Sequence, residues 1–128
     1  MINLILVGLG GFAGSICRYT ASRYAARMFP SALFPYGTLF VNVTGCLLIG
    51  LLGGIFEARQ VLSPELRALI LVGFLGGFTT FSTFGNDLFL LARNGQSAAA
   101  LADLAVHIVL GLGAVWLGFN LSRLFPVS

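Results

Sequence analysis

The sequence predicts an all-α membrane protein of four transmembrane helices, and three observations carry that prediction. Of the 128 residues, 58% are hydrophobic and 9% are charged, whereas a soluble domain carries about 25% charged residues to cover its wet surface. Mean hydropathy is +0.99. Four stretches reach the roughly 20 apolar residues that a helix needs to cross a bilayer. The connections between them are short, so residues 1–128 read as a single four-helix transmembrane domain whose function lies within the membrane.

The first helix is expected over 2–26. Its start, "MINLILVGLG", lacks the basic region of a signal peptide and reads as membrane span. Arg23 and Arg27 close it, and the two prolines of "MFPSALFP" end it. The second helix is expected over 36–57, closed by "EARQ". "LSPEL" is a turn with a helix start: Ser63 at the N-cap, Pro64 at the first helical position, Glu65 in the first turn. The third helix follows over 65–92 and the fourth over 97–125. Helix one carries Gly10-x-x-x-Gly14, helix two Gly45, Gly50, Gly53 and Gly54, and helix four Gly111, Gly113 and Gly118. Small residues let membrane helices approach closely, so these positions point to tight packing and to oligomerisation.

Charge narrows the function classes. There is no lysine, and the seven arginines (18, 23, 27, 59, 67, 93 and 123) form no basic run, which argues against nucleic-acid binding. Their distribution leaves topology undecided. Arg59, Arg67 and Arg123 fall on one side of the membrane. Arg23, Arg27 and Arg93 fall on the other, joined by Arg18 if it reaches the surface. Orientation normally follows an excess of Lys and Arg on the cytoplasmic side. Without one, the chain is expected to insert both ways and to pair as an antiparallel dimer; the alternative is that one arginine decides. Cys17 and Cys46 lie in apolar segments and read as packing residues.

"GLGGFA" (8–13) matches a dinucleotide-binding pattern, but that site needs an acid about 20 residues on, and the first acid here is Glu57. Asn42 is more informative. An amide in hydrocarbon is costly unless bonded, so it faces either a partner helix or a water-filled path. Thr38, one turn earlier, shares its face. In helix three, Gly73, Gly76 and Gly77 precede Thr79 and Thr80. Two readings stand: a packed glycine helix, or a break whose freed carbonyls can coordinate a small cation. Beyond it, Phe81 and Phe84 lie on similar faces beside Ser82, Thr83 and Gly85. Phenyl rings are positive at their edges. Ring edges, hydroxyls and the Asn42 amide therefore suit a small, strongly hydrogen-bonding anion, while aromatic packing is the competing reading. Asp103 and His107 are i, i+4 in helix four. They either pair, relay protons, or sit near a membrane surface. No triad spacing or paired-carboxylate motif suggests an enzyme.

"PYGTLFVNVTG" followed by "GFLGGFTTFSTF" resembles the Fluc/CrcB family of bacterial fluoride channels, and the likeness extends over nearly the whole chain. The resemblance implies a passive fluoride channel in the bacterial inner membrane, built as an antiparallel, dual-topology homodimer with two pores. It implies that Asn42 is the pore asparagine, that Phe81 and Phe84 contact fluoride, and that Ser82, Thr83 and Thr38 belong to the polar track. It also implies that the third helix is broken mid-membrane and that the carbonyls of Gly76 and Thr79 hold a structural, untransported sodium ion. Arg18 matches the first-helix arginine. Three positions depart: Gly85 replaces an expected serine, Asp87 an expected glutamate, and Asp103 an expected neutral residue, which places Asp103 at the pore mouth or facing away. The rival readings are a non-transporting assembly subunit and a small proton-coupled multidrug exporter of four-helix, dual-topology type. Such exporters need a carboxylate in the first helix, which this chain lacks.

Overall fold

Inside a bilayer no water is at hand for the backbone, so each apolar stretch satisfies its own N–H and C=O groups by coiling into a helix. The computed structural model describes residues 1–31, 33–59 and 63–125. Helix α1 covers Ile2–Met28 and α2 covers Tyr36–Arg59. A helical rod over 64–78, here α3, is followed by α4 (Phe81–Arg93) and α5 (Ser97–Ser122). Counting Pro64–Arg93 as one span, the described residues hold four helices long and apolar enough to cross a membrane.

The helix ends have local causes. Ser63 caps α3: its Oγ accepts from the Leu66 N–H at 3.3 Å, with Pro64 in the first turn. Leu62 of the "LSPEL" turn lies outside the described residues. At the end of α4 the N–H of Gln96 returns to the Leu91 carbonyl at 2.9 Å, and that of Gly95 to Ala92 at 3.1 Å. This paired closure needs a left-handed residue, and Gly95 supplies it at φ 75°. Helix α5 stops at Ser122 rather than 125, because Arg123 and Leu124 bond three residues back and tighten the last turn.

Within α3, residues Ala68–Leu75 are π-helical, with hydrogen bonds reaching one residue further than in an α-helix. The widened turns lie against α1. There the backbones nearly touch. A Cβ on Gly10 would fall on the Leu69 carbonyl, one on Gly14 on the Phe74 carbonyl, and one on Gly77 would sit 2.7 Å from the Gly11 carbonyl. A second glycine seam joins α2 to α5, where Gly50 meets the Val115 carbonyl and Gly118 the Leu47 carbonyl. Helix α4 rests on α5 as well. By contrast, Gly8, Gly53 and Gly113 have open space beside them, so not every glycine in the sequence marks an intrachain contact.

This contrast is testable on one helix. Gly118→Val places a branched side chain against backbone, which has no rotamer to yield, and is expected to cost about 3 kcal/mol or more. Gly113→Val meets nothing within 4 Å. Monodisperse yield after detergent extraction should collapse for the first and persist for the second.

Candidate functional site

Between α3 and α4 the chain leaves helical geometry for two residues. Thr79 has φ −89° and ψ 159°, and Thr80 has φ −151° and ψ 113°. Two extended residues remove several helical hydrogen bonds, and buried backbone groups must find other partners. Asn42, reaching across from α2, supplies them. Its Oδ1 accepts from the Thr80 N–H at 2.8 Å, and its Nδ2 donates to the Thr80 carbonyl at 3.1 Å. In an unbroken helix the Thr80 N–H would close a turn on the Gly76 carbonyl; given to Asn42, it releases that oxygen. The Thr79 carbonyl is met by Arg18 of α1, whose Nη1 donates over a long 3.5 Å.

Thr80 also starts α4. Its Oγ1 accepts from the Thr83 N–H at 3.2 Å, an N-cap bond, and donates to Thr83 Oγ1 at 3.0 Å. Ser82 Oγ lies 3.2 Å from the same oxygen. Thr80 has one hydroxyl hydrogen, and Thr83 takes it, so Ser82 is the donor in that third contact. The hydroxyl hydrogen of Thr83 is left without an acceptor among the described residues. Sequence reasoning did not single out the Thr80 cap. The signal was Thr-x-x-Thr at the start of an amphipathic run, obscured by Thr79 next to it.

The break opens on a cleft of about 440 Å³, bordered by Asn42, Thr80, Phe81, Phe84 and His107. The two phenyl rings stand edge-to-face, centroids 5.8 Å apart at 61°. Their environments differ sharply: Phe84 is 8% exposed and Phe81 is 83% exposed. One amide hydrogen of Asn42 bonds Thr80, which leaves its second available, since a primary amide carries two.

Thr38 and Asn42 share a face of α2 but take different partners. The Thr38 hydroxyl donates to Asp87 Oδ2 of α4 at 2.7 Å. Of the readings held for Asp103, the structure supports its pairing with His107 over a place at a surface: it is buried on α5, with 0% exposure. Nδ1 of His107, one turn on, lies 2.9 Å from its Oδ1 and 3.0 Å from its main-chain oxygen. The hydrogen bond is the one to the main-chain oxygen. Both Asp103 carboxylate oxygens and His107 Nε2 are buried without a hydrogen-bond partner among the described residues. The His107 ring packs on Phe84, centroids 4.2 Å apart. Cys17 and Cys46 are free thiols. Among the described residues no cluster of His, Cys, Asp and Glu is suited to a metal ion.

Four membrane-length helices around a polar, aromatic-lined interruption define a small multi-pass membrane protein of the transport kind. Comparison with known proteins narrows the class. Residues 5–119 match the family model described as "CrcB-like protein, Camphor Resistance (CrcB)", and the chain belongs to that family. It is 42% identical over 124 residues to a protein of Methylobacillus flagellatus, with 97% of each chain covered. It is 44% identical to one of Maridesulfovibrio salexigens, covering 97% of this chain and 98% of that one. A Shewanella loihica relative is 46% identical over 121 residues, with 94% and 96% covered. All three relatives bear the name fluoride-specific ion channel FluC. These names denote ion channels, which are not a class of enzyme.

Proposed function

We propose that this chain is a fluoride-selective channel that lets cytoplasmic fluoride leave a bacterium passively, down its electrochemical gradient, across the inner membrane. The observation that carries the reading is the interrupted third span, latched by Asn42 and opening on a cleft that offers donors but no exposed carboxylate. Fluoride is small and strongly hydrated, so a pore must replace water's hydrogen bonds with its own. The free hydrogen of Asn42, the Thr83 hydroxyl and the ring edges of Phe81 and Phe84 are the replacements; Ser82 joins them on releasing its bond to Thr80, with the Thr38–Asp87 pair further along the track. No lysine or arginine ring is needed for an ion whose hydrogen bonding distinguishes it from chloride. In acid surroundings hydrogen fluoride enters the cell, dissociates and traps its anion, and a passive channel drains it.

The working unit is an antiparallel homodimer with two pores, inserted in both orientations. The balanced arginines support dual insertion, and the 83% exposure of Phe81 supports a partner subunit across the cleft. The carbonyls of Gly76 and Thr79 would hold a structural sodium ion shared by two copies. Neutral oxygen donors suit that ion, and the break frees both from helical turns. The ion would fix the interface and take no part in transport.

The test is fluoride efflux from liposomes holding the purified protein. Fluoride efflux well above chloride is expected. Equal flux of the two ions, or none of either, would sink the reading. Dye efflux driven by a pH gradient would instead favour a proton-coupled exporter.

A further inference from the structure

The Asp103–His107 pair is unexplained by anything above. A carboxylate with no exposure and an imidazole nitrogen with no partner are expensive inside a membrane. Asp103 sits one turn from the ring that packs on Phe84. Resting on the fluoride reading, we propose that His107 is a protonation-dependent fluoride ligand, which donates from Nε2 at the Phe84 end of the cleft only when the pair has taken up one proton.

The argument is one of hydrogen inventory. A main-chain carbonyl and an ionised carboxylate both only accept. With Asp103 ionised, Nδ1 facing those two oxygens must therefore carry the hydrogen of a neutral imidazole. Nε2 is then bare. It presents a lone pair beside Phe84, and the pair carries a net charge of −1, which repels an anion. When one proton from water joins the pair, three arrangements exist. The imidazolium faces the carboxylate; or a protonated Asp103 donates to Nδ1 and the neutral imidazole keeps its hydrogen on Nε2; or a protonated Asp103 leaves the imidazole hydrogen on Nδ1, against the main-chain oxygen, and Nε2 bare. In all three the pair is neutral, and in the first two Nε2 bears a hydrogen, so an anion in the cleft selects those two. Uptake of a single proton thus removes the repulsion and lets the same ring act as a donor.

The groups around His107 are few. On its own helix there is Asp103. Helix α2 contributes the Cys46 thiol and the Asn42 amide, which share the cleft. Helix α4 contributes Phe84 and, further along, Asp87, whose carboxylate is engaged by Thr38. From α3 the cleft receives Leu71, Leu75 and Gly76, none of them charged. Arg18 of α1 is directed to the Thr79 carbonyl. Asp103 is therefore the charge that partners the ring directly.

The experiment is fluoride current across planar bilayers at symmetrical pH, since current counts the anion and ignores neutral hydrogen fluoride. Wild-type current is expected to rise roughly tenfold, the worth of one charge-assisted hydrogen bond, from about pH 7.5 to about pH 5.5. His107→Gln, which cannot titrate, is expected to be flat across that range. A flat wild-type profile, or a glutamine variant that keeps the wild-type slope, would overturn the inference and leave the channel reading standing. No fluoride current at any pH would overturn the channel reading and this inference together. Because the chain has one histidine, nitrogen NMR of the imidazole gives a second readout free of any variant. Added sodium fluoride is expected to shift the Nε2 titration relative to sodium chloride. Identical titrations in the two salts would overturn the proposal.

Discussion

Asn42→Leu is expected to lose both fluoride flux and stability, and Asn42→Asp to lose flux while staying folded. The pair separates the two jobs this side chain holds. Leucine is close to isosteric and suits the apolar surroundings, but it strands the N–H and the carbonyl of Thr80, which are both satisfied by the amide. Each stranded buried group costs about 1–3 kcal/mol. The break would then refold into continuous helix or loosen, and thermal unfolding in detergent should fall by several degrees. Aspartate keeps an oxygen for the Thr80 N–H, so the latch half survives. It removes the donor hydrogens and adds a negative charge beside the path of an anion. A barrier raised by about 1.4 kcal/mol already slows passage tenfold, and a charge in a low-dielectric cleft exceeds that. Efflux from liposomes should drop at least about tenfold in both variants. An aspartate variant with undiminished fluoride efflux would remove Asn42 from the permeation path and leave it a structural latch.

The readability of this molecule from its sequence follows from what the residues can signal. The four spans were legible because membrane helices announce themselves by composition. Asn42 stood out for the opposite reason: a lone amide among "LFV" and "VTG" must face either a partner helix or a water-filled path. The glycine seams were legible in kind but not in place, since a glycine in a lipid-facing stripe looks the same as one under a carbonyl, and Gly113 and Gly118 differ only in what another helix puts beside them. The π-helical turns were not legible. Ala68–Leu75 reads "ALILVGFL", with no polar residue to mark a face, so no periodicity distinguishes wide turns from ordinary ones. Asp103 and His107 were visible as an i, i+4 pair. Their burial was not, because a charged residue six positions into a span also fits a residue snorkelling to the surface. The cap at Thr80 was masked by the choice between two adjacent threonines, which only the reach of Asn42 resolves.

Phe81→Ile and Phe84→Ile are both expected to impair fluoride efflux, but with different effects on stability. Each ring offers a positive edge, and isoleucine offers none, so either substitution removes one contact of the order of an aromatic-edge interaction, about 0.5–1.5 kcal/mol. Converted to rate, each should slow efflux by roughly two- to tenfold. Phe84 is buried between Phe81 and His107. Its shortening also opens a void, so Phe84→Ile should lower the unfolding temperature, in the ordinary range of about 0.5–3 kcal/mol for a core change. Phe81 stands almost free of its own chain. Phe81→Ile should therefore leave single-chain packing unaltered, and any loss of stability it brings must come through a second subunit. Stability measured across a range of protein-to-detergent ratios separates these cases. A dilution-dependent loss in Phe81→Ile indicates that the ring is covered by a partner, whereas no loss at any ratio leaves it facing the path alone. The double variant supplies the coupling. The rings meet edge-to-face, so their effects on flux should fall short of additive if one anion position is shared by both. Unchanged efflux in both single variants would take the phenylalanines out of the mechanism and return "TTFSTF" to a packing motif.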